Sequence, residues 1–163
     1  MGKRGTSKII LGIDPGTARC GYGLVVSAGP TLIAKTYGVI ETPAGAERAE
    51  RLAQLQRAVI QLLKRHRPQV VAVEELYFSK NVKTAMAVAE ARGVVLAAAA
   101  TAGIPVAAIS PGAIKQTLTN SGRATKQQVG RMVTLVLNLP KPPRPDDAAD
   151  ALACAITCSR LVR

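Results

Sequence analysis

Apolar and β-branched residues fill KIILGI, and Asp14 with the following Pro-Gly-Thr turn ends the run, which predicts a buried strand over 8–14. Two alternating stretches, 21–28 and 31–41, flank a Gly29-Pro30 turn and predict an antiparallel hairpin. From 46 to 66 apolar residues recur at helical spacing, with Lys64, Arg65 and His66 in the last turn, as in an amphipathic helix. A strand over 69–76, an alanine-rich helix over 83–103 and a short strand over 104–110 follow. Segments 111–119 and 126–139 read as helices separated by NSGRATK. The four prolines of PKPPRP exclude a helix over 140–145, and a last helix is expected from about 146 to 160. The order β-β-β-α-β-α-β-α-α-α predicts an α/β fold in which a meander leads into parallel crossovers.

Composition narrows this picture. A chain of 163 residues, 48% apolar, fits one domain over 1–163 with a sizeable core. With aromatics at 2%, that core must be aliphatic. No apolar run reaches the roughly 18 residues that span a bilayer, and no secretory signal is visible, so no membrane partner is expected. MGKRGT matches a short myristoylation pattern, but a frayed basic start is the better reading. Cys20, Cys154 and Cys158 lack the companions of a zinc site and read as buried small hydrophobes, which suits a cytoplasmic location. His66 is the single histidine, which excludes chemistry built on several. The formal charge of +12 calls for a polyanionic partner, and nucleic acid is the one expected. Between Glu90 and Asp146 there is no acid, while Arg92, Lys115, Arg123, Lys126, Arg131, Lys141 and Arg144 all fall there, as on a phosphate-binding face.

Against that background the placement of the acids stands out. Asp14 closes the first strand, and Glu74 and Glu75 close the strand after the first long helix. If these strands are parallel neighbours, their carboxyl ends meet at the edge where open α/β sheets bind ligands. On the last helix Asp150 shares a face with Asp147 and Asp146. A helix start aimed at the strand ends would gather four carboxylates, which is costly unless cations neutralise them. Oxygen donors fit Mg²⁺ or Mn²⁺, and two such ions would serve phosphodiester hydrolysis. Each acid also has an ordinary reading: Asp14 in a turn, Glu74 and Glu75 as strand-end acids, Asp146 and Asp147 as helix caps. These ordinary readings would have to coincide at one sheet edge, whereas one metal site accounts for the acids together. Among the aspartates Asp146 follows a proline, and capping is its expected task.

The blocks ILGIDPGTARCGYG, VEELYFSKN, EARGVVLAAA, IKQTLTNSGRATKQQV and LPKPPRPDDAADALACAIT, in this order, resemble the RuvC family of Holliday junction resolvases, of the RNase H-like superfamily. The resemblance implies a mixed five-stranded sheet with the first three strands antiparallel, flanked by helices. It implies that Asp14, Glu74, Asp147 and Asp150 are catalytic and hold two Mg²⁺ or Mn²⁺ per subunit, with Asp146 and Glu75 extra. Lys115 and Lys126 match residues that hold the DNA backbone near the scissile phosphate, Arg123 belongs with them on the DNA side, and Tyr77 matches an aromatic that opens or stacks bases. Tyr77 is expected to face outward and Phe78 inward. The resemblance further implies a homodimer formed through the alanine-rich helix, a four-way DNA junction as substrate, and RuvA and RuvB as branch-migration partners. Its activity is paired symmetric nicking in recombination and repair. The rivals are a non-catalytic junction-binding protein and an actin-like phosphate-binding ATPase, whose first phosphate loop GIDPGT resembles.

Overall fold

A computed structural model of the chain describes residues 7–75 and 82–162. Five strands form one sheet: β1 (Lys8–Asp14), β2 (Arg19–Ala28), β3 (Thr31–Glu41), β4 (Val70–Glu74) and β5 (Val106–Ile109), in the order β3-β2-β1-β4-β5. The first three are antiparallel, while β4 runs parallel to β1 and β5 parallel to β4. Five helices complete the fold: α1 (Arg48–His66), α2 (Val82–Thr101), α3 (Pro111–Thr119), α4 (Lys126–Val136) and α5 (Asp146–Leu161). The element order is the one the hydrophobic pattern predicts. α1 ends at His66 as expected, closed by a left-handed Arg67, but starts at Arg48 rather than at 46, and α4 stops at Val136, short of 139, with a left-handed Asn138 just beyond.

Alternation along the strands divides the interior in two. Ile10, Val25, Val70, Ala72 and Ile109 face α3, α4 and α5. Leu11, Ile13, Leu24, Val71 and Val73 face α1 and α2. Cys20 lies in the second layer and Cys154 and Cys158 in the first, all buried and free, as expected of small hydrophobes. Burial pushes the Cys20 thiol up to about 12 and the Cys154 thiol well above its ordinary value, so both stay protonated.

α5 is the central helix, buried from Ala148 through Cys158 except for Ala149 and Asp150 near its start. Its seat is made by glycine. A Cβ on Gly12 would lie 2.0 Å from the Ala151 carbonyl oxygen, and one on Gly21 would lie 2.0 Å from that of Asp147. Only strands bare at these two places let the helix backbone rest directly on the sheet.

The alanine-rich helix is a partial exception to the sequence reading. α2 is 20 residues long with a mean hydropathy of 1.3, so by length and composition it does reach the range of a membrane-crossing helix. In the fold it is anchored by Ala91, Val95, Ala98 and Ala99, which pack beneath the sheet, while Val82 and Met86 point outward.

Candidate active site

The same alternation that sorts the core places the acids. Gly12 and Asp14 share a face of β1, and Ala72 and Glu74 share the matching face of β4, which is the face that carries α5. The strands are parallel and paired through Ile13 and Val73, so Asp14 and Glu74 end side by side. Glu75 is one position further and donates its backbone N–H to the Ile109 carbonyl at 2.9 Å. The glycine seat lowers the first turn of α5 onto this edge, and Asp147 and Asp150 arrive there from above.

Asp14 is the hub. Burial, then the negative charges of Asp150, Glu74 and Asp147 in decreasing order, push its carboxyl up to about 7. Burial also raises Glu74 and Asp150, with Asp150 adding to the rise at Glu74 and Asp147 adding to that at Asp150. Lys126 opposes these shifts. Its ammonium lies 2.7 Å from an Asp150 oxygen, and that hydrogen bond and charge raise the lysine in turn. Lys126 is the first residue of α4, held there by a reciprocal cap: Thr125 Oγ1 accepts from the Gln128 N–H at 3.2 Å, and Gln128 Oε1 accepts from the Thr125 N–H at 2.8 Å.

A cleft opens beside the cluster, lined by Glu74, Asp150, Lys115 and Lys126 with Pro111 and Ile114. Lys115 comes from α3, whose start is capped by Ser110 with Pro111 in the first turn. Arg123 sits on the exposed loop between α3 and α4, outside this lining. Tyr77 and Phe78 lie outside the described residues.

Two features were not legible in the chain. Arg19, at the start of β2, approaches Asp147 at 3.5 Å, and Arg144 of the proline segment donates to Asp146 at 3.0 Å. The second contact corrects the capping expectation for Asp146. Pro145 occupies the cap position, no side chain caps α5, and Asp146 is the first helical residue with its carboxylate turned to Arg144. Each aspartate at the start of α5 thus has its own cation from a different element. Among the described residues no three acids converge to metal-ligating distance in this ion-paired arrangement.

As a donor set the four carboxylates suit a hard divalent ion: all are oxygen ligands, and the raised affinity of Asp14, Glu74 and Asp150 for protons marks negative charge that one lysine does not balance.

Residues 10–158 match the family model for the crossover junction endodeoxyribonuclease RuvC. A crossover junction endodeoxyribonuclease RuvC of Moorella thermoacetica is 52% identical over 148 residues, covering 91% of this chain and 89% of its own. One of Heliobacterium modesticaldum is 50% identical over 151 residues, covering 93% of each chain. Among solved structures, that of T. thermophilus RuvC in complex with a Holliday junction substrate superposes with a TM-score of 0.87 at 39% identity and covers 92% of both chains. With its element order, its acid edge and these relatives in agreement, the chain belongs to the RuvC family of crossover junction endodeoxyribonucleases.

Proposed function

We propose that the chain, acting as one nuclease domain over 1–163, resolves Holliday junctions by paired symmetric nicks in opposing strands, in homologous recombination and DNA repair. The observation that carries the reading is the acid edge itself: Asp14 pushed up to about 7 among three further carboxylates, inside a protein of charge +12. Asp14, Glu74, Asp147 and Asp150 would hold two Mg²⁺ or Mn²⁺ ions. When bound, such ions would supply Lewis acidity to an attacking water and to the leaving 3′ oxygen.

The chain's own residues do the rest. Asp14, at the end of β1, gives a strand-end anchor, and α5 brings Asp147 and Asp150 on a face fixed by the glycine seat. Lys115 and Lys126 project into the cleft beside Glu74 and Asp150 and hold the phosphate chain against them. Arg123 contacts DNA further out, and Tyr77 stacks on a base at the crossover. One such site cuts one strand, so a two-fold junction calls for a C₂ homodimer. α2, with Val82 68% and Met86 54% exposed, offers the apolar face for it. RuvA and RuvB would bring the junction to the dimer, and the cytoplasm is where that substrate lies.

A synthetic four-way junction with Mg²⁺ or Mn²⁺ tests this. The expected products are symmetric nicks with ligatable ends. Asp14→Asn is expected to bind the junction and to cut it about 100-fold more slowly or worse, the scale of removing one preorganised charge from a reacting centre. Normal cutting by that variant would remove Asp14 from the catalytic set.

A further inference from the structure

We propose that Arg19 and Arg144, continued by Arg131, form a second phosphate-binding track on the side of the acid cluster away from Lys115, which takes the DNA backbone next to the cut strand position. The inference rests on the nuclease reading above; the charge pattern puts Arg131 and Arg144 on a phosphate-binding face in general terms, and the geometry joins them with Arg19, to which that reading gives no task, into one path.

The geometry has three parts. A cleft lined by Arg19, Lys126, Arg144, Asp146 and Asp147 opens over the start of α5. A second cleft, sharing Lys126, Arg144 and Asp146 with the first, continues along α4 past Arg131, with Pro142 and Pro143 as its apolar wall. Together they make a path that leads away from the acids and is edged by cations from β2, α4 and the proline segment.

The cations on this path are held but not committed. Arg19 and Arg144 keep side-chain exposures of 54% and 80% while paired with Asp147 and Asp146, and Arg131 makes no ion pair among the described residues. Exposed pairs of this kind contribute little, so a phosphodiester displaces the carboxylate at little cost. Divalent ions on Asp147 would loosen Arg19 in the same event. Asp146 has a distinct part: as an internal anion it holds Arg144 over the cleft and competes with DNA for it. The stiff PKPPRP segment fixes where that guanidinium stands.

The test is binding of a labelled four-way junction by the full chain in Ca²⁺, across a salt series, with cutting by the unaltered protein in Mg²⁺ alongside. Arg144→Gln and Arg19→Gln should each weaken binding by roughly 3- to 10-fold and reduce the slope of log K against log salt by about one. Asp146→Asn should tighten binding, and that gain should vanish when Arg144 is already Gln. Arg19→Lys, which keeps the charge, should restore the slope and guards against loss of fold at β2. Wild-type slopes in both glutamine variants, or weaker binding by Asp146→Asn, would overturn the track while leaving the nuclease intact. Failure of the unaltered protein to bind or cut the junction would instead overturn the nuclease reading on which the track stands.

Discussion

The two faces of the sheet are built from the same strands and do opposite work. Towards α1 and α2 the strands present Leu11, Ile13, Val71 and Val73, bulky aliphatics that hold the helices off by a layer of side chains. Towards α5 they present Gly12, Gly21 and Ala72 among the aliphatics Ile10, Val25 and Val70 and, at the ends, Asp14 and Glu74. Small residues let one helix approach as close as backbone allows, and the space saved is what brings Asp147 and Asp150 within electrostatic reach of Asp14. One face is built to be stable, and the other accepts a buried cluster of like charge because a positioned site requires it.

The largest effect is expected from reversing that difference. Gly12→Val forces a branched side chain where even a Cβ meets the Ala151 carbonyl at 2.0 Å, so α5 must lift from the sheet. Overpacking of this kind costs about 1–3 kcal/mol or more, and the lifted helix takes two acids with it. Leu55→Ala on the other face, where Leu55 is 1% exposed, should cost about 2–5 kcal/mol by leaving a cavity. Denaturant unfolding should therefore find both variants weakened. Junction cutting per folded molecule should collapse for Gly12→Val and persist for Leu55→Ala. Equal loss of specific activity in both would mean that the glycine seat does not position the acids.

Next in size is the cost of the acid edge to the fold. Asp14 titrates near 3.8 in its ordinary state and at about 7 here, so between those values the folded protein retains a proton that the unfolded chain has lost. The sign follows: this group imposes no penalty below about pH 4, a growing one as pH rises, and its full penalty above 7. Glu74 and Asp150, also raised, act in the same direction. Thermal unfolding without divalent ions should show a midpoint that falls from pH 5 to pH 8. Asp14→Asn should flatten that fall, and Mg²⁺ added at pH 8 should recover stability by mass action. A profile for Asp14→Asn identical to that of the parent would break the link between burial and function. Leu55→Ala, altering only the apolar face, should lower the whole profile without changing its slope.

The two faces also differ in how legible they were in the chain. Strand parity and helical periodicity are local, so the elements could be read from spacing, whereas the meeting of Asp14, Glu74 and Asp150 also needed β1 and β4 to be parallel neighbours, as they are. The family motifs then separated Asp147 from Asp146. Contacts between distant segments leave no periodic trace, and so Arg19 beside Asp147 and the seat of α5 on Gly12 and Gly21 could not be read. Asp146 misled for a related reason. A proline took the cap position, which leaves the carboxylate one residue inside the helix and available to Arg144.

The smallest effect bears on the outer side of the apolar face, at α2. Gly93 lies in the middle of this helix, is exposed, and would place a Cβ in open space. Within a single protomer Gly93→Ala should therefore stabilise by about 0.5–1 kcal/mol, through helix propensity alone. If two copies meet along α2, where Val82 and Met86 stand exposed, a bare position lets the backbones approach, and an added methyl holds them apart. The expected result is a raised melting temperature at protein concentrations where protomers are separate, together with a weaker dimer in sedimentation. A variant that is more stable and dimerises as well as the parent would move the two-fold axis off the middle of α2. The stable face would then be stable only, and the partner copy would have to be sought elsewhere on the surface.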